Sequence, residues 1–319
     1  MARKRKGDAI SGWAVIDKPE GPTSTDVVSI VRRGLNAQKA GHAGTLDPLA
    51  TGLLIVALGE ATKTISFVMD GDKTYRFCAR WGEATATDDR EGAVVERSTV
   101  RPTPEAIMDA LPFFVGEIEQ TPPAYSAIKV DGERAYDLAR AGEDVTLDAR
   151  PVIVHELELI DCPDADHALF EMTCGKGTYV RSLVRDLARQ VGTCGHVADI
   201  RRTAVGPFSE EDAIPLDQFE ELVHKGDALG HVLPVETALD DIPAVAVTGM
   251  DATRLRNGQS VLLRDDGVLG RVKAISRQAS ADGASRDATI LCSLKGQPVA
   301  LCRFERGELK PTRVFNLPI

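Results

Sequence analysis

The 319-residue sequence has no apolar run near the roughly 20 residues of a membrane-spanning helix, and no signal-peptide core follows Met-Ala-Arg-Lys-Arg-Lys. A cytoplasmic protein without a membrane partner is therefore expected. The six cysteines, at 78, 162, 174, 194, 292 and 302, form neither a C-x-x-C pair nor a cysteine–histidine zinc spacing. They read as reduced, mostly buried thiols, which excludes a disulfide scaffold. The six histidines are scattered, so no metal site is expected. The stretch Gly59-Glu60-Ala61-Thr62-Lys63-Thr64 superficially resembles a phosphate loop but lacks the required spacing, and G-x-S-x-G, H-E-x-x-H and G-x-G-x-x-G are all missing. Nucleotide hydrolysis is excluded.

What is present is ordinary globular composition, 43% hydrophobic and 27% charged, in a chain long enough for one large domain and a small one. A net charge of −10 argues against a polyanionic ligand, but its distribution argues the other way. Residues 1–80 carry 12 lysines and arginines against 8 acidic residues, and residues 171–202 carry 6 against 3. Two basic segments on an acidic protein are the footprint of a polyanion site, with solvated surface charge as the alternative for either alone.

The local patterns indicate an α+β fold with a mixed, largely antiparallel sheet flanked by helices. A strand over Trp13–Ile16 runs into the turn Asp17–Pro22, and Thr23-x-x-Asp26 resembles a capping box opening a helix with Val27, Ile30 and Val31 on one face. The continuous apolar run Leu53–Leu58 suits a buried strand. Tyr75–Trp81 alternates as a half-buried strand, and further strands are expected at Val152–Ile160, Ala168–Cys174 and Val197–Val205. Helices are expected near Pro104–Leu111, Gly132–Ala141, Thr178–Val191 and Leu216–His224. Past an acidic, proline-bearing joint at Asp240–Pro243, short strand-like runs at 245–247, 260–263, 270–275, 290–294 and 299–304 suggest a small β-barrel-like domain. Gln278–Arg286 reads as a polar surface loop.

One segment concentrates the chemical possibilities. Gly41-His42-Ala43-Gly44-Thr45-Leu46-Asp47-Pro48 puts a carboxylate on a loop where both glycines are expected to allow positive φ and Pro48 biases Asp47 away from helix. A structural turn is the competing reading of Asp-Pro. An aspartate is ionised at neutral pH and needs positioning rather than a general base. Lys176–Arg181 opens a helix with Val180, Leu183, Val184, Leu187 and Val191 on its apolar face, while Arg181, Arg185 and Arg189 lie on another. One of these arginines is a candidate to hold Asp47; Arg185 and Arg189 read as a solvated basic face.

Taken together, Gly41–Gly52, Gly59–Lys63, Tyr125-Ser126-Ala127-x-Lys129 and Lys176-Gly177-Thr178-Tyr179-Val180-Arg181 resemble the TruB family of tRNA pseudouridine synthases, in the correct order over about residues 12–210. The resemblance implies isomerisation of uridine 55 in the tRNA T loop to pseudouridine, without cofactor or metal, with Asp47 as the catalytic aspartate, Arg181 as its partner and Tyr75 stacked on the target base. It places His42 in the space left by the flipped base. Lys18 and Lys63 are expected near the active-site loop and RNA, and Ile200 beside the base, where the family more usually has leucine. Arg201 and Arg202 follow it as RNA-binding candidates, as do Tyr125, Lys129 and Tyr179. Residues 124–150 correspond to an RNA-gripping thumb within a catalytic domain over 11–240. A basic tail (1–10) and a PUA-like RNA-binding domain (241–319) complete the layout. A monomer acting on the T stem-loop without an obligate protein partner is expected; a tRNA chaperone without chemistry and a guide-RNA-dependent synthase are the rivals.

Overall fold

The computed structural model describes residues 7–126, 128–130, 132–141, 147–263, 270 and 289–317. The polar stretch 278–286 and most of the strand expected over 270–275 lie outside the described residues, as does the start of the basic tail. Among the described residues, no helix is long and apolar enough to cross a membrane.

The first half of the chain runs β1 (Gly12–Lys18), α1 (Ser24–Gly34), β2 (Ala40–His42), β3 (Thr51–Leu58), α2 (Ile65–Asp70), β4 (Lys73–Trp81), the hairpin β5 (Glu83–Thr85) and β6 (Val94–Arg97), then α3 (Pro104–Ala110) and β7 (Gly116–Gln120). A small hairpin, β8 (Lys129–Val130) and β9 (Glu133–Arg134), leads into α4 (Ala135–Arg140). There follow β10 (Arg150–Asp161), β11 (His167–Cys174), α5 (Val180–Gln190), β12 (Gly195–Val205), β13 (Phe208–Ser209), β14 (Ile214–Pro215) and α6 (Leu216–Lys225). The C-terminal part comprises β15 (Ala244–Ala246), α7 (Gly249–Arg256), β16 (Val261–Leu262), β17 (Thr289–Leu294), β18 (Gln297–Glu305) and β19 (Glu308–Val314).

A 10-stranded mixed sheet organises the larger part, in the order β14-β1-β3-β12-β4-β11-β10-β7, with β13 on β12 and β2 on β3. Among the described residues, only the β1–β14 and β3–β12 pairs within it are parallel. Both are short contacts, but the second is the one that matters: it sets Gly52 opposite Arg202, and β12 in turn sets Arg202 opposite Tyr75 on β4.

The apolar run of β3 is continuous because both faces are buried. Leu53, Ile55 and Ala57 face a cluster with Trp13 and Val15, while Leu54, Val56 and Leu58 join Ala14 and Ile16 beneath α1 and α6. The capping box is formed, with Thr23 accepting from the Asp26 amide and the Asp26 carboxylate accepting from Thr23. Further along the sheet, Leu183, Val184 and Leu187 of α5 pack on Phe77, Trp81 and Phe170, and the Phe77 and Phe170 rings stack 5.3 Å apart.

The C-terminal sheet, in the order β15-β17-β18-β19-β16, curls into a half-barrel. Period-two alternation divides residues 290–292 of β17 and 300–302 of β18 between two faces. Ile290, Cys292, Ala300 and Cys302 pack with Ala252 and Leu255 of α7, whereas Leu291, Leu301 and Phe315 enter the cluster around Trp13. The six cysteines are free, and four of them are buried.

Several local expectations shift. Gly41 is an extended residue of β2 opposite Ala57, so of the two loop glycines only Gly44 uses positive φ, at 113°. The helix expected from Gly132 starts at Ala135, because Gly132, at φ 95°, turns the β8–β9 hairpin. Helix α7 was not legible because its polar and apolar residues are poorly segregated. Strand β19 was hidden by Pro311, which sits at a break in the β18–β19 register where a missing amide is tolerated.

Gly52, at φ 95°, is the tightest position for the site: an added Cβ would lie 2.2 Å from the Arg202 carbonyl oxygen and 2.8 Å from its nitrogen. Gly52→Ala is expected to lower stability by more than about 1 kcal/mol, from the strained φ alone, before the clash is added. Urea unfolding checks this, and an unchanged midpoint would contradict the close β3–β12 approach.

Candidate active site

The Asp47 loop is held by its own backbone groups. The Ala43 amide donates to the Ile55 carbonyl (2.8 Å), and Gly44 then turns the chain away from the sheet. Buried Ser24, at the start of α1, donates to the Leu46 carbonyl (2.9 Å) and accepts from the Leu46 amide (2.8 Å). The Pro48 carbonyl accepts from the Gly21 amide (2.9 Å) and from Lys18 Nζ (3.1 Å), which also donates to the Pro19 carbonyl. Arg202 donates from Nη2 to Gly44 O (3.2 Å), from Nη1 to Thr45 O (3.3 Å) and from Nε to Leu53 O (2.9 Å). A loop whose carbonyls are captured one after another cannot choose freely where its aspartate points.

The Asp47 carboxylate remains 44% exposed and lies 2.8 Å from Nη2 of Arg181, whose side chain is 8% exposed. The same guanidinium donates to the Tyr125 carbonyl (3.0 Å) and the Thr87 carbonyl (3.1 Å), and Nη1 lies 3.5 Å from Asp89 Oδ2. Asp89 is buried and fixed in turn: its Oδ1 accepts from Thr87 Oγ1 (2.5 Å) and from the Glu91 amide (3.1 Å). A buried arginine between two carboxylates keeps its charge and orients the exposed one.

Tyr75 projects from β4 beside Arg202. Burial pushes its phenol above the usual tyrosine value, with the Arg202 cation pulling the other way. His42 stands at the end of β2, half-buried, with Nδ1 buried and lacking a hydrogen-bond partner among the described residues. Burial, helped by Arg202, holds the imidazole below its ordinary pKa, which favours the uncharged ring. Ile200 packs partly buried at the junction of two core clusters. Tyr179 caps α5, bonded through its backbone to Gln120, and the Arg150 guanidinium lies 5.4 Å from its ring centroid. The Tyr125 and Tyr136 rings meet edge to face at 6.1 Å. The side chain of Lys129 lies outside what is described.

Four basic residues have partners within the fold. Arg202, expected at the RNA, is almost fully buried, because strand alternation turns it inward over the space that Gly52 leaves. Arg201, on the opposite face, is occupied by Asp17 (2.9 Å) and Glu210 (2.7 Å). Lys63 is spent on Glu60 (2.7 Å) and the Val314 carbonyl (2.7 Å), tying the turn after β3 to β19. Arg185 is not part of a solvated face: it pairs with Asp88 (2.9 Å) and Asp186 (3.0 Å) and donates to the Thr121 carbonyl (2.8 Å), which leaves Arg189 as the exposed one. Asp88 and Asp89 were missed from sequence because their partners lie more than 90 residues away on α5. Two adjacent acids in an apparently ordinary hairpin loop carry no local signal of that.

Half-buried His42, partly buried Tyr75 and the Asp47 loop thus gather around Arg202, with the Asp47 carboxylate paired to Arg181. The site sits on a known fold. The structure matches that of a Cbf5–Nop10–Gar1 complex with a TM-score of 0.70 over 96% of this chain and 85% of that one, at 24% identity. Family models for the TruB pseudouridylate synthase N-terminal domain and the tRNA pseudouridylate synthase B C-terminal domain match residues 32–180 and 181–240. The chain is 55% identical to a tRNA pseudouridine synthase B of Caulobacter vibrioides over 99% of this chain and 100% of that protein. It is 53% identical to one of Bradyrhizobium diazoefficiens over 99% of this chain and 91% of that one. The chain belongs to the TruB family of pseudouridylate synthases.

Lys18 offers a direct test of the site's electrostatics. Burial pulls its ammonium down to about 8 from 10.5, against the opposing attraction of Asp47, Glu20 and Glu91. Between about 8 and 10.5 the unfolded chain still holds a proton that folded Lys18 has released, so this residue's contribution to stability rises with pH across that window. Lysine NMR titration should find one ammonium titrating near 8, and wild type should gain stability relative to Lys18→Met as pH rises through the window. A lysine spectrum with every resonance above 10 would contradict the burial of this charge.

Proposed function

We propose that this protein isomerises uridine 55 in the T loop of tRNA to pseudouridine, as a cytoplasmic monomer that needs no obligate protein partner. The observation that carries the reading is the half-open Asp47 carboxylate, paired at 2.8 Å to buried Arg181, in a chain that matches proteins named tRNA pseudouridine synthase B from end to end. In the reaction the N1–C1′ bond breaks, the base turns, and C5 bonds to C1′ while the C5 hydrogen leaves as a proton. Asp47 acts on the ribose. Attack at C1′ and removal of a ribose proton both require an ionised, aimed carboxylate, which the Arg181 contact supports.

Reaching the bond between base and sugar requires drawing the nucleotide out of its stack, at a cost of a few kcal/mol. A neutral imidazole offsets part of this by occupying the vacated place, since one stacking contact contributes about 1 to 3 kcal/mol. The charge state of His42 suits that role, and Tyr75 is suited to cover the extruded base. Lys18 acts through the Pro48 carbonyl and Arg202 through those of Gly44 and Thr45, so both support the loop rather than touch RNA.

Release of tritium from T-loop RNA labelled at uridine C5 tests the assignment, because forming the new carbon–carbon bond expels that hydrogen. Wild type is expected to release it. Asp47→Asn should bind tRNA with near-normal affinity and release none, and substantial turnover by that variant would remove Asp47 from its role. His42→Ala should slow single-turnover release by about ten- to a hundredfold, the worth of one lost stacking contact. A folded wild-type protein that binds tRNA but releases no tritium would end the enzyme reading.

A further inference from the structure

Arg90 stands at the rim of the site and belongs to none of the motifs considered so far. Its backbone amide donates to the Val197 carbonyl (3.0 Å), and the Val197 amide donates to the Asp88 carbonyl (3.0 Å), so the 85–92 loop is laid against β12. Its guanidinium then spans three segments. It lies 2.5 Å from Glu20 and 2.6 Å from Asp199, and donates to the Ala198 carbonyl at 3.1 Å. Ala198 is the extra residue of a β-bulge, where the β12–β4 register shifts between Val197 and Asp199.

Each anchor adjoins a wall of the site in the chain. Arg90 itself follows Asp89, the second carboxylate on Arg181. Glu20 lies two residues beyond Lys18 and next to Gly21, both bonded to the Pro48 carbonyl. Asp199 precedes Ile200. An isolated surface ion pair is worth little, and these side chains are 35%, 58% and 70% exposed for Arg90, Glu20 and Asp199. Here one guanidinium closes a ring of three segments, so its effect is on relative position more than on global stability. With both carboxylates on it, a phosphate would have to displace two partners to reach it.

We infer that Arg90 is a positioning residue of the isomerisation, a latch that binds the turn after β1, the 85–92 loop and the β12 bulge into one rim and so holds Asp89 behind Arg181. The inference rests on the reading of the Asp47–Arg181 pair as the isomerase centre. Loosening the rim misplaces the reacting groups without removing any RNA contact.

The test uses the full chain with Arg90→Ala, Arg90→Lys and the double variant Glu20→Gln/Asp199→Asn. Single-turnover tritium release at saturating tRNA, tRNA Kd and amide hydrogen exchange over residues 19–22 and 85–92 without RNA are the readouts. Arg90→Ala should slow release about tenfold, as sub-ångström misplacement does, with Kd within about twofold of wild type and faster exchange in both segments. Arg90→Lys should restore most of the rate, since an ammonium still pairs with the two acids, and the double variant should reproduce the loss with Arg90 present. An unchanged rate in Arg90→Ala, or weakened tRNA binding with the rate intact, overturns the latch while leaving the isomerase reading in place. A wild-type protein that releases no tritium overturns the isomerase reading, and the positioning role with it.

Discussion

The close parallel approach of β3 and β12, where Gly52 meets Arg202, is the constraint from which the site follows. Without a Cβ at residue 52, the β12 backbone comes near enough for the Arg202 guanidinium to lie under the Asp47 loop and take up the Leu53, Thr45 and Gly44 carbonyls. A buried guanidinium is costly unless its donors are satisfied, and here the acceptors come from the loop that must be fixed. The same cation reinforces the effect of burial on His42 and opposes it on Tyr75, so one side chain holds the loop and bears on the titration of both neighbours.

Around that anchor the charges alternate in depth. The exposed Asp47 leans on buried Arg181, which is backed by Asp89; Arg185, one helical turn further along α5, is held by Asp88 and Asp186. The 85–92 loop supplies acids to two successive arginines of one helix and, through Arg90, reaches the opposite wall of the site. Much of the positive charge that sequence counting assigns to an RNA surface is therefore internal wiring. Arg181, Arg185, Arg201, Arg202 and Lys63 all have partners within the fold. An acidic protein that acts on a polyanion has fewer free cations than its composition suggests, which places a premium on those that stay unpaired.

The C-terminal sheet is not an appended module in the packing sense. Leu291, Leu301 and Phe315 share a core cluster with Trp13 and Val235, and Glu60 accepts from the Asn316 amide (2.7 Å) while holding Lys63 against Val314. The turn after β3 is thus tied to the C-terminal strands at one end of a strand whose other end emerges from the Asp47 loop.

Periodicity and end signals alone sufficed for the larger elements, because their causes are local: the Thr23–Asp26 box, the two-sided apolar run of β3, the alternation of β4 and the stripe of α5. The resemblance carried by four separated motifs implied Arg181 as the partner of Asp47, and the two lie 2.8 Å apart. What these signals could not convey is where charges terminate. A strand shows which face Arg202 takes relative to its neighbours, but only the tertiary pairing with Gly52 makes that face interior, and only the folding of the 85–92 loop onto α5 and β12 gives Asp88, Asp89 and Arg90 their partners. Hydrogen-bonded ends and apolar stripes are properties of contiguous residues. The state of a buried charge depends on groups dozens of residues away, and that was decided by the tertiary structure.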